Sequence, residues 1–308
     1  MASAAPRVEQ PKGSSLFQDA FRRFFRHTTG VVGLSIIVFL LLATFLAPVL
    51  RPYNAQRDRN LQLRLLPPTW TLNVEELAAR DLSPTSYIFG ADELGRDLFV
   101  RVWHGGRISL RAGLLAVAIA FVVGVSLGLV AGYFGGWLDM FLVWLVDIML
   151  AFPGILLAIA IVAAFGPSLT NALVAVSITQ IPIYIRITRG VVIGIRDSEH
   201  IQAARSLGAG STRIILAHIL PNVLSPIIVQ LTLSIGTAIL DIAALGFLGL
   251  GAQPPEPEWG VMIRDGYRQF LKAPWLSIFP GLAIFLAVLG FNLLGDAIRD
   301  VLDPRLRE

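Results

Sequence analysis

The sequence predicts an all-α integral membrane protein with six transmembrane helices, and three observations carry that reading. Apolar residues make up 55% of the 308-residue chain against 15% charged, and the mean hydropathy is +0.69, far outside an ordinary soluble domain. Six apolar segments recur at close to the ~20 residues that a bilayer requires. Arginine and lysine gather in alternate connections, which gives the chain an orientation. Cysteine is absent, so neither disulfides nor thiolate metal sites are available.

Residues 1–14 are small, polar and proline-bearing, which predicts a disordered tail. They are not a cleavable signal, because the first apolar run begins only at Val31 and is long enough to span. Over 15–29, Phe17, Phe21, Phe24 and Phe25 recur at helical spacing with Arg22, Arg23 and Arg26 around them, predicting an amphipathic interfacial helix. Beside a span, the anionic lipid surface is a better partner for these arginines than nucleic acid. The first span covers 30–50.

The connection over 51–108 is too long for a turn and mixes acids with bases, so a small extracytoplasmic subdomain is expected, with a short helix around Val74 to Ala79. Asp92, Glu93 and Asp97 lack the ligand spacing of a calcium loop and read as a solvated acidic turn. The core over 109–308 then places spans at about Ala112 to Ala131, Met140 to Phe165, Leu169 to Ile185, Ile219 to Leu245 and Trp275 to Leu294. Gly124, Gly128 and Gly132 fall on one helical face, where another helix can approach closely, within this chain or at a moving interface. Asp147 and Asp241 are carboxylates inside spans and require a reason: a paired or helix-capping role, or a place on a pathway. Asp147 is expected to reach Arg186. Beyond the fifth span, glycines and prolines forbid a continuous helix, and Trp259, Tyr267 and Trp275 suit the headgroup layer.

The stretch 199–222 separates two apolar segments and is too polar to span. It reads as two short helices with a glycine break. Ser198 caps the first, Glu199 sits against the positive end of its dipole and Gly208 ends it; Ser211 caps a second that runs to Pro221. Ile201, Ala204 and Leu207 share one side of the first helix, while Ala203 keeps the opposite surface small. Such a helix can sit in a protein cleft or lie in the headgroup region.

Gln202-Ala203-Ala204, then Gly208, then Leu220-Pro221 resembles the EAA motif of ABC importer permeases, which implies that these residues, with Arg205 and Leu207, couple the chain to an ATPase. Gln202 stands where the family has glutamate, which removes a charge that could pair with an ATPase. GADELGRD at 90–97, the FLGLG, QPP and WG series at 247–260, and FNLLGD, RD and LDPRLR at the end are similar to the dipeptide, oligopeptide and nickel importer branch. The resemblance implies the type I importer permease fold, with 196–218 as the cytoplasmic coupling segment. It implies a second, related permease as heterodimer partner, two ATPase subunits that bind ATP and Mg, and an extracytoplasmic substrate-binding protein. The cargo it implies is a di- or oligopeptide or a related small solute such as a nickel complex.

The chemistry read from the residues agrees with a translocation subunit that is not itself an enzyme. There is no GxxxxGK[ST] loop, no HExxH and no GxSxG, and His27, His104, His200 and His218 are scattered, so no catalytic, cofactor-binding or metal residue is expected. An ion-gradient-driven carrier is the alternative, but no internal repeat accompanies the prolines and buried acids. Basic residues at the N-terminus, at Arg186 to Arg213 and at Arg299 to Arg307 predict that both termini are cytoplasmic, and the resemblance implies the cytoplasmic (inner) membrane of a bacterium or archaeon.

Overall fold

The computed structural model describes residues 23–302, whose regular structure is helical. The tail over 1–14, most of the amphipathic helix over 15–29, and Arg305 and Arg307 lie outside the described residues. The chain runs through α1 (Thr28–Leu50), α2 (Val74–Ala79), α3 (Leu98–Phe134), α4 (Gly136–Leu150), α5 (Gly154–Phe165), α6 (Leu169–Ile195), α7 (Glu199–Ser206), α8 (Ser211–Phe247), α9 (Trp259–Tyr267) and α10 (Trp275–Leu302). Five of these, α1, α3, α6, α8 and α10, are each long and apolar enough to cross a membrane.

The expected third span is broken. α4 and α5 meet at 92°, with Pro153 at the break. Proline cannot donate to a helix and drives the residue before it out of helical conformation, which a hydropathy pattern does not register.

Neighbouring helices show that the bent pair still crosses. A Cβ on Gly124 would lie 2.5 Å from Tyr184 Cβ, one on Gly128 2.6 Å from Thr188 Cβ, and one on Gly132 2.7 Å from Val192 Cβ. The numbers rise together, so α3 and α6 run parallel and the chain between them must return to its starting end. α4 and α5 carry it back. Legs of 15 and 12 residues at a right angle reach about 29 Å, near the thickness of the hydrocarbon layer. The total of six crossings agrees with the ends of the bundle, since His27 Nε2 on one side of α1 lies 3.1 Å from Asp300 Oδ2 near the end of α10. The glycine repeat is thus an internal seam, in which absent side chains let two backbones approach.

α3 begins at Leu98, well ahead of Ala112, because the Asp97 side chain accepts from Phe99 N at 2.9 Å and starts the helix there. α8 departs more from expectation. Gly210, with extended backbone, holds the N-cap position in place of Ser211, and the helix passes through Pro221 to Phe247. A π turn over Ile214–Ile219 lies just before that proline, and the wider turn removes the hydrogen bond that its missing N–H would have had to make.

Opposite the end where His27 meets Asp300 is a loop end. Residues 51–97 fold over it with a small cluster of Leu63, Leu66 and Ala91, and α2 carries an Asn73–Glu76 capping box. The acidic turn is not solvated. Asp92 is 5% exposed, and its carboxylate accepts from Leu94 N (2.8 Å), Arg96 N (3.0 Å) and Arg96 Nε (2.7 Å), and pairs with the Arg101 guanidinium. Burial pushes this carboxyl up, but Arg101, Arg96 and the backbone donor together hold it below the usual 3.8.

A second polar knot lies beside it. Glu258, fully buried, caps α9 by accepting from Gly260 N and Val261 N, each at 2.9 Å, and takes the Ser109 hydroxyl of α3 at 3.0 Å. Burial raises its carboxyl above the ordinary value, against the pull of those donors. Trp259 does not reach a headgroup layer: its ring is buried and its indole N–H donates to Val102 O at 2.8 Å. Tyr267 is exposed and Trp275 half-buried.

Candidate functional site

α7 is only eight residues long, too short to be stable without its ends and its anchor. Ser198 holds the N-cap position with extended backbone, but its hydroxyl donates to Ile195 O at 2.6 Å and does not cap; Glu199 lies in the first turn as expected. The other end is closed by a Schellman arrangement: Gly208 N donates to Arg205 O and Ala209 N to Ala204 O, both at 3.0 Å. Gly208 has φ +82°, where a side chain would be strained.

One buried side chain fixes the helix. Ile201 is fully buried, with Ile214 and Ile219 of the π turn in the same core, and α7 packs on that turn. Ala204 is half-buried, whereas Leu207 is 88% exposed and does not share the Ile201 side, because at the C-cap position the chain has already left the helical path. Gln202, Ala203, Arg205 and Gly208 are exposed with it. Arg205 makes no ion pair among the described residues. Leu220 is half-buried and Pro221 exposed, directly after the π segment.

Gln202 has a task that glutamate could not perform. Its Nε2 donates to Asp197 O at 2.8 Å, tying α7 back onto the end of α6. The same junction is held by Arg196 Nη1, which donates to Gly132 O on α3 at 2.8 Å, and by Arg189 Nη2, 2.8 Å from Asp139 Oδ2 on α4. Beyond the basic character of the region, no local pattern pointed to these last two contacts.

The two carboxylates inside spans are not brought together with α7. Asp147 Oδ1 lies 2.9 Å from Arg186 Nη2, joining α4 to α6, with both side chains more than half exposed. Asp241 is half-buried on α8 and, neither paired nor capping, makes no hydrogen bond or ion pair among the described residues. A pairing role therefore fits Asp147 alone. No group of three metal-ligating side chains occurs among the described residues.

Six crossings around a glycine seam, joined to an uncovered polar segment anchored by Ile201, define a multi-pass membrane protein. Comparison with known proteins makes this more specific. The model of the family described as "binding-protein-dependent transport system inner membrane component" matches residues 124–308, and that of the "N-terminal TM domain of oligopeptide transport permease C" matches 15–68. A dipeptide transport system permease protein of Alkalihalophilus pseudofirmus is 47% identical over 99% of this chain and 95% of its own length. A glutathione transport system permease protein of Pectobacterium atrosepticum is 40% identical over 100% and 97%. A di/tripeptide transport system permease protein of Pseudomonas aeruginosa is 44% identical over 93% and 92%. In fold, the chain is similar to the inward-facing MetNI methionine ABC transporter, with a TM-score of 0.53 at 20% identity over 66% of this chain and 96% of that one. The chain belongs to the family of binding-protein-dependent transport system inner membrane components. It is a permease subunit of an ABC importer, which transports and does not catalyse.

Proposed function

We propose that this chain is the second, C-type permease of an importer for di- or oligopeptides or a related small solute, and that α7 is its coupling helix. The observation that carries the reading is the anchored but uncovered α7: Ile201 is buried while Gln202, Ala203, Arg205, Leu207 and Gly208 stand exposed beside one another. An exposed leucine flanked by small residues suits a groove in another protein. Leu220 and Pro221 complete the motif by fixing how α8 leaves the π turn. The proposed segment is 196–218, and 51–108 is the proposed extracytoplasmic subdomain, although the helix begins inside that range at Leu98.

On this reading the partners are a related permease, two ATPases that bind ATP and Mg, and an external binding protein. The start of α1, the end of α10 and α7 share an end with Arg186, Arg189, Arg196, Arg205 and Arg213, which supports a cytoplasmic location for that end in the inner membrane. ATP-driven closure of the ATPases then moves α7, and with it α6 and its neighbours, exposing the pathway alternately to each side. The names of the relatives support a peptide cargo.

The test is co-purification with the neighbouring ATPases, comparing the native chain with A203R/G208R after both are shown to insert. The double variant is expected to lose the ATPases. Equal retention removes α7 as the docking element, and a native chain that holds no ATPase shifts the reading to an ion-driven carrier.

A further inference from the structure

A cleft of about 410 Å³ at the loop end is lined by Arg107 and Arg111 of α3, by Tyr53, by Glu256, and by an apolar wall that includes Leu115 and Leu173. Arg107 and Arg111 are one helical turn apart, so both guanidinium groups serve the same side of α3. Neither has a carboxylate partner among the described residues. The Arg107 Nε and the Tyr53 hydroxyl are both buried and both without a hydrogen-bond partner. Buried donors are rarely left unmet, and two that line one cleft point to an acceptor that enters it.

The walls are already built. Pro257 O packs where a Cβ on Gly105 would stand, and Trp259 and Glu258 are hydrogen-bonded to Val102 and Ser109, so the segment bearing Glu256 is stitched to α3. The Arg111 guanidinium lies 5.4 Å from the Phe45 ring centre on α1. His104, also on the lining, is bonded to Arg51 O at 3.0 Å, and its ring lies tilted beside that of Tyr53, 5.4 Å between centres.

We propose that this cleft binds the oxyanion of an amphipathic ligand, with Arg107 and Arg111 as its anchors and the leucines receiving an apolar body. Planar guanidinium pairs suit a carboxylate or a phosphate. A transported solute with a free carboxylate and a membrane phospholipid both carry this chemistry. The site does not depend on the coupling role of α7.

The experiment uses the complete transporter in lipid nanodiscs. The solute probes are alanyl-phenylalanine and its C-terminal amide, followed by titration calorimetry; the lipid probes are dioleoyl phosphatidylglycerol and dioleoylglycerol, followed by native mass spectrometry. Wild type is expected to bind one of the two anionic probes about tenfold more tightly than R107Q/R111Q, and R107K/R111K to recover part of that difference. The uncharged partner probe should not distinguish wild type from the glutamine variant. A carboxylate response names a solute site, and a phosphatidylglycerol response a lipid site. Equal binding of both anionic probes by wild type and the glutamine variant, or no binding of either by wild type, overturns the proposal. If the double variant does not assemble, R111Q at the exposed position carries the same comparison. ATPase retention in the same preparations separates this result from failure of the coupling reading.

Discussion

At the loop end, Asp92 meets two guanidinium groups and two backbone donors, and Glu258 meets a hydroxyl and two more. On α7, Leu207 lies almost bare in water and Arg205 has no ion pair among the described residues. Both regions are polar stretches between apolar spans, so composition treats them alike. What separates them is the range of their contacts. Ser109 reaches Glu258 across some 150 positions of sequence, whereas the bonds of α7 are almost all to residues within a few positions. The first set of contacts is closed within the chain, and on the proposed reading the second surface is left for a partner.

The strongest way to break this contrast is to remove one member of the finished knot. Asp92→Leu leaves Arg96 and Arg101 buried without a counter-charge, and the expected loss is on the order of 3–5 kcal/mol, read as a lower melting temperature of the purified protein. ATPase retention per folded molecule should not change. Acid reaches the same group without mutation. Because the Asp92 carboxyl is held below 3.8 when folded, its contribution is present above that pH and is lost as pH falls through the lowered value. Asp92→Leu should therefore flatten that acid limb of the stability profile. On α7 the expectation reverses: Leu207→Glu should weaken ATPase retention by about tenfold, with an unchanged melting temperature. A fall in melting temperature would mean that Leu207 is not a free surface.

Smaller changes sharpen the comparison. Trp259→Phe keeps the ring but removes the donor to Val102 O, and should lower stability by about 1 kcal/mol in a thermal or denaturant melt. Gln202→Glu brings a carboxylate toward Asp197 O in place of the amide donor, and the expected loss is under ~1 kcal/mol, seen as faster amide exchange at the α6–α7 junction. Retained ATPase binding in that variant would show that the departure from the family motif serves the fold of this chain.

Local signals were legible. Apolar run lengths anticipated where the helices lie, the short helix expected around Val74 to Ala79 is α2, and the glycine repeat in α3 marked a close helix contact whose partner only the fold could name. Gly208 also ended α7 as its missing side chain suggests. Two of the misses share a cause. Asp92 looked solvated because Arg101 was read as the far end of a loop and not as the first turns of α3, and Trp259 looked interfacial because Val102 lies 157 positions away. The break between α4 and α5 was hidden because hydropathy does not respond to a single proline.

The seam between α3 and α6 also bears on how a displacement of α7 is received. Two members joined along their length bend far less than the same two sliding freely. Tyr184, Thr188 and Val192 seated against three glycines prevent such sliding, while Arg196 pins the end at Gly132. The hypothesis is that α3 and α6 act as a laminated lever, so that a push on α7 emerges at the far end as a swing and is not absorbed as curvature. Spin-label distances between the two helices should then stay fixed through the transport cycle while their tilt to the membrane changes; distances that change within the seam would show that the layers slip.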